Sequence, residues 1–166
     1  MLKCKWLVIY MIKVLFVCHG NICRSPMAEY VFRELVHSEH LSHKVMCKSV
    51  ATSTEEIGNQ VYPPVREILN GMGIDCSDKR AVRMTPEDYS EYDYIAVMDN
   101  NNMRNALRIT GGDPDGKIRL LLSFTALGYS EISDPWYSRD FEKTKTEILA
   151  GCKALLEHIK SENSDV

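Results

Sequence analysis

Cys18, Arg24 and Ser25 lie on one short stretch, CHGNICRS (18–25), which follows an apolar run and precedes Pro26. A thiol, a guanidinium and a hydroxyl so spaced act on one group only if the backbone between them curls. Gly20 and Asn21 can take left-handed conformations, which would turn the N–H groups of His19, Gly20, Asn21, Ile22 and Cys23 toward a common point. A helix opened by Pro26 would add the positive end of its dipole. The product is an anion cradle with a sulfur at its centre. Those neighbours favour thiolate over thiol, which makes Cys18 a nucleophile. Arg24 can hold two oxygens of a phosphoryl group in its planar fork, and the grip strengthens as charge spreads over those oxygens. Ser25 either caps the helix or donates its hydroxyl to the sulfur.

Cleaving a phosphate ester also requires a proton for the departing oxygen. ISDPWYSRDF (132–141) offers Asp134, held in a loop ahead of a proline, with Trp136 and Tyr137 as walls of an aromatic cleft. Taken alone this is an ordinary Asp-Pro turn; the cysteine loop upstream gives it a general-acid reading. Asp99 either orients groups of the loop or caps the helix that follows it. Cys23 is the one thiol near Cys18 in sequence, so it is the candidate to condense with an oxidised Cys18 as a disulfide. The plainer alternative is a small apolar residue packed under the loop.

Positioning such a loop requires a strand before it and a helix after it. KVLFVC (13–18) is a continuous apolar run, the pattern of a strand covered on both faces. PMAEYVFRELVHSE (26–39) has helical spacing after its proline. Further strands are predicted at 44–52, 92–99 and 116–124, and helices at 63–73, near NNMRNALRI (101–109) and at 141–160. Strands separated by helices give an α/β fold, a parallel sheet with helices on both faces, in which ligands sit beyond the carboxyl ends of the strands. Cys18 is at such an end.

Composition narrows the classes. The 166 residues, 45% hydrophobic and 26% charged, suit one globular domain with a real core. Net charge is −3 with scattered Lys and Arg, so no basic footprint for nucleic acid is visible. MLKCKWLVIYMI imitates a secretory signal, but no small-residue cleavage site follows and no apolar stretch is long enough to span a bilayer. Residues 1–10 read as an extension or upstream start, 11–160 as the domain and 161–166 as a polar tail. Six cysteines without metal-site spacing or disulfide-scaffold density suit reduced thiols in a cytoplasmic protein without membrane insertion.

Together these residues make the sequence resemble the low-molecular-weight protein tyrosine phosphatase family from Met11 onward. The pattern V-C-x-G-N-x-C-R-S-P is met by Val17, Cys18, Gly20, Asn21, Cys23, Arg24, Ser25 and Pro26, and the late Asp-Pro-aromatic signature by Asp134, Pro135 and Trp136. The resemblance implies a four-stranded parallel sheet in a phosphatase-I-like three-layer sandwich and a phosphocysteine intermediate on Cys18. It also implies phosphate binding by Arg24 and the loop amides, Asp134 as general acid, loop support by Asn21 and Ser25, and no cofactor or metal. The partners it implies are tyrosine-phosphorylated proteins or small aryl phosphates.

Three departures from the family pattern stand out. Glu55 occupies the cleft-wall position where an aromatic often stacks on the substrate. The family's frequent histidine near DKRAVR (78–83) is absent, with Asp78 or Lys79 nearby. Tyr137 is the one tyrosine after the Asp-Pro pair and so the one candidate there for phosphorylation. Other readings of the same loop are an arsenate reductase, which needs a further cysteine pair where Cys76 stands alone, and a phosphoarginine phosphatase, where threonine commonly replaces Ile22. A phosphoryl carrier or phosphopeptide-binding module would have no use for Asp134.

Overall fold

The computed structural model describes residues 10–166, so the expected N-terminal extension lies, apart from Tyr10, outside the described residues. Four strands, β1 (Ile12–Cys18), β2 (Val45–Ala51), β3 (Tyr94–Val97) and β4 (Ile118–Leu120), form a sheet in the order β2-β1-β3-β4. Every pairing is parallel, and the register sets Cys18 opposite Ala51 and Val17 opposite Val97. β1 is therefore an inner strand with helices over both of its faces. Val14 and Phe16 point into one core while Leu15 and Val17 point into the other, all at 0% exposure, which is why the run shows no alternation.

Helices α1 (Arg24–Ser38), α2 (Pro63–Gly71) and α6 (Phe141–Glu162) cover the first face. There Phe16 meets Phe32 edge to face at 5.4 Å, and burying each such side chain stabilises the fold by about 1.5–3 kcal/mol. Helix α4 (Asn100–Thr110) covers the second face through Ala106. Two one-turn helices, α3 (Asp88–Glu91) and α5 (Pro135–Ser138), complete the set. Among the described residues no helix is long and apolar enough to cross a membrane.

The expected elements are present with shifted limits; β3 covers only Tyr94–Val97 of the expected 92–99 and α2 ends at Gly71. The helix after the loop starts at Arg24, not at Pro26, so Arg24 and Ser25 belong to its first turn. The apolar run 116–124 is a strand for three residues only; Leu121–Phe124 turns into a 3₁₀ helix, whose Leu121 meets α6 where Gly151 leaves room. The C-terminal helix continues to Glu162.

Candidate active site

The loop from Cys18 to Arg24 leaves the carboxyl end of β1 and enters α1. Its outer course is tied down by backbone bonds: Thr52 N–H donates to Cys18 O at 2.9 Å, Ser53 N–H to His19 O at 3.0 Å, and Tyr62 N–H to Ile22 O at 2.9 Å. Asn21 alone takes the left-handed conformation, at φ 59°, a region asparagine tolerates better than most side chains. Gly20 does not; its value is space, because a Cβ there would sit 3.3 Å from Glu56 Cγ.

Around the sulfur the donors converge. Asn21 N–H points at Cys18 Sγ from 3.3 Å, and Ser25 Oγ lies 3.0 Å away. The cap of α1 is Cys23, with no side-chain bond, so Ser25 serves the sulfur and not the helix end. Asn21 Nδ2 donates to Ser25 Oγ at 2.8 Å and Ser49 Oγ at 2.9 Å, while its Oδ1 accepts from Val82 N–H at 3.1 Å. Ser49 in turn donates to Glu29 Oε2 at 2.5 Å, and Lys79 Nζ reaches Glu29 at 3.3 Å and Ser49 O at 2.9 Å. Lys79, one of the two residues noted near 78–83 where the family's frequent histidine is absent, is thus the part-buried cation tied into this network.

Arg24 is 2% exposed. Its Nη1 donates to Asp99 Oδ2 at 2.6 Å and Ile132 O at 2.8 Å, and its Nη2 meets Asp134 Oδ2 at 3.3 Å. Burial opposes its charge, but Cys18, Asp134 and Asp99 outweigh that and raise its pKa above the ordinary guanidinium value. Asp99 does both things expected of it, since Oδ1 also caps α4 by accepting Asn102 N–H at 2.7 Å. Asp134 divides its oxygens likewise: Oδ1 accepts Trp136 N–H at 3.0 Å as the cap of α5, leaving Oδ2 over the cradle. Burial above all, then Cys18 and Asp134, pushes the Cys23 thiol far up, so Cys23 stays protonated beside Cys18.

These groups open into a cleft of about 120 Å³ lined by Cys18, Ile22, Arg24, Glu55, Asp134 and Trp136, with His19, Gly20, Cys23, Glu56 and Tyr137 completing the wall. His19 Nε2 and Glu55 Oε2 pair at the rim at 3.0 Å. Tyr62 is a residue the motif reading missed. Its ring stands 5.1 Å from Trp136 and its hydroxyl accepts from Arg139 at 3.1 Å, which fixes the aromatic wall. Glu29 and Ser49 were missed for a different reason, because their elements read as apolar helix and strand.

A model of the low molecular weight phosphotyrosine protein phosphatase family matches residues 13–165. The chain belongs to that family. Among its low molecular weight phosphatase relatives, the Bacillus subtilis protein-tyrosine-phosphatase YfkJ is 36% identical over 153 residues, covering 92% of this chain and 98% of the relative. The Rattus norvegicus phosphotyrosine protein phosphatase is 41% identical over 155 residues, covering 87% and 93%. The crystal structure of YfkJ superposes with a TM-score of 0.89, covering 92% of this chain and 97% of that one. A structure of a drosophila arginine phosphatase, 28% identical, superposes at 0.83 and covers 92% and 100%. In this phosphatase fold the cysteine loop leaves β1, the Asp99 anchor follows β3 and the Asp-Pro turn lies on the loop between the 3₁₀ helix and α5, and Arg24 joins them.

Proposed function

We propose that the chain hydrolyses aryl phosphate monoesters, phosphotyrosine in proteins foremost, through a phosphocysteine intermediate. The observation that carries this reading is the convergence of Cys18 Sγ, the Arg24 fork and Asp134 Oδ2 on one small cleft, and membership of the phosphatase family supports it. In the first step the Cys18 thiolate attacks phosphorus and an S–P bond forms as the P–O bond to the phenol breaks. Asp134 gives its proton to the departing oxygen. Arg24 and the loop amides hold the three remaining oxygens as their charge rises, while Asp99 and Ile132 O keep the guanidinium from turning away. In the second step Asp134, now a carboxylate, takes a proton from water, whose oxygen attacks phosphorus. The S–P bond breaks, Ser25 O–H stabilises the leaving sulfur, and inorganic phosphate remains.

The test is release of p-nitrophenol from its phosphate ester. Cys18→Ser is expected to abolish turnover while vanadate still binds the cradle, and turnover at more than a trace in that variant removes Cys18 from the nucleophile role. A phosphoarginine substrate is the second reading, favoured by the drosophila likeness. Ile22 on the cleft wall argues for the aryl ester, since its apolar face suits a ring better than a guanidinium. Ile22→Thr is expected to shift the kcat/KM ratio toward phosphoarginine; a wild-type ratio already above one for phosphoarginine would reverse the assignment.

A further inference from the structure

The turn that carries Asp134 is closed by its own backbone bonds. Asp134 Oδ1 accepts Trp136 N–H at 3.0 Å, Asp134 O accepts Ser138 N–H at 3.1 Å, and Arg139 N–H returns to Pro135 O at 2.9 Å. The turn ends on Arg139, which is left-handed at φ 60°. A side chain there costs about 1–2 kcal/mol that glycine would not, and strain of this kind collects at working sites. Arg139 spends its side chain on the aromatic wall of the cleft. Its Nη1 donates to the Tyr62 hydroxyl at 3.1 Å, and its guanidinium carbon lies 5.7 Å from the centre of the Trp136 ring.

Tyr62 connects that turn to the cradle. Its N–H donates to Ile22 O at 2.9 Å, and its ring stands 5.1 Å from Trp136 and stacks on Phe141 at 6.1 Å. One residue thus holds the cysteine loop through its backbone and the Asp-Pro turn through its side chain. The direct tie between these two parts is the contact of Arg24 Nη2 with Asp134 Oδ2 at 3.3 Å. That tie is strongest while Asp134 is a carboxylate and the guanidinium has no other anion to face. In the first chemical step Asp134 carries a proton and Arg24 holds the phosphoryl oxygens, so the attraction is spent when the acid must be in place. The contacts through Tyr62 keep their strength, because neither its hydroxyl bond nor its ring contact depends on the charge of Asp134.

We propose that Tyr62 and Arg139 are positioning residues for the proton transfer, a clamp that keeps the Asp134 turn over the cradle while the Arg24 tie is spent. The clamp rests on the reading of Asp134 as general acid. Its effect is confined to leaving groups that need the proton, because the oxygens of the phosphoryl group are held by Arg24 and the loop amides.

Comparison of kcat/KM for phenyl and p-nitrophenyl phosphates tests it, since that quantity reads the step in which the phenol leaves. Arg139→Gly removes the guanidinium and relieves the left-handed backbone, so thermal unfolding is expected near the wild-type temperature. It is expected to lose about tenfold on phenyl phosphate and less than about threefold on the p-nitrophenyl ester. Tyr62→Phe deletes the same hydrogen bond and is expected to act alike, with the double variant losing little more than either single one. Vanadate affinity is expected to stay at the wild-type value in all three. Equal losses on the two esters, or a parallel loss of vanadate affinity, would leave these residues a purely structural role and overturn the clamp, as would wild-type kinetics in both single variants. Asp134→Ala is the control. Selective loss there with none in Arg139→Gly sinks the clamp and spares the acid reading; unselective loss in Asp134→Ala sinks both.

Discussion

Arg24 has two nitrogen edges and the protein uses them differently: Nη1 is spent on Asp99 and Ile132 O, and Nη2 is turned to the cleft beside Asp134. That division predicts separable phenotypes for the two aspartates. Asp134→Ala is expected to slow poor leaving groups by about 10²–10³-fold and p-nitrophenyl phosphate by less than about tenfold, because an activated phenolate departs with little protonation. Steady-state kinetics on phenyl and p-nitrophenyl phosphates checks it, and equal losses would place the acid elsewhere. Asn21 is the second residue with more than one task. Asn21→Ala removes three hydrogen bonds, two of them buried, and leaves alanine at φ 59°, an expected cost of about 2–4 kcal/mol. Asn21→Gly keeps the backbone at ease and should recover part of it in urea unfolding, with Cys18 reactivity lost in both.

At the scale of elements, the tightest of the described glycine positions lies where α6 crosses the 3₁₀ turn. A Cβ on Gly151 would come within 2.6 Å of Leu121 Cγ, and Leu121 is 0% exposed with nowhere to move. Gly151→Ala would gain up to about 1 kcal/mol of helix propensity, but the overlap costs about 1–3 kcal/mol. The variant is expected to be less stable, which thermal unfolding would read as a lower Tm. This element also marks where the sequence ran out. GKIRLLLSF is apolar throughout, and nothing in its pattern distinguishes three strand residues from the 3₁₀ turn after them, since both bury leucines. The strand–loop–helix unit was legible because apolar run, glycine, asparagine and proline each have a local meaning. The helix start was misplaced by two residues because Cys23 caps without a side-chain bond, leaving no capping residue to read. Cys18, Arg24 and Asp134 could be named from motifs, and Lys79 only as a departure from one; Glu29, Ser49 and Tyr62 could not, because their contacts exist only once distant segments meet.

For the whole molecule, the raised phenols of buried Tyr92 and half-buried Tyr94 give stability an alkaline dependence. Burial foremost, then Glu91 and Asp88, pushes Tyr92 up to about 12, and burial with the Glu162 hydrogen bond does the same for Tyr94. Both folded values lie above the ordinary 10.0, so their contribution to stability is complete below about pH 10 and is lost as pH rises from about 10 to 12. Urea midpoints should hold level up to the lower limit and fall through that window; Tyr94→Phe should flatten the fall, and an unchanged slope would exclude Tyr94. One last consequence follows from the span of the Arg24 contacts. Cys18 and its loop are made before their anchors: Asp99, Ile132 and Asp134 follow Arg24 by 75 to 110 residues. A nascent chain on the ribosome thus carries Cys18 and Arg24 without an oriented guanidinium, and the cleft can be assembled only once the segment through Asp134 has been made.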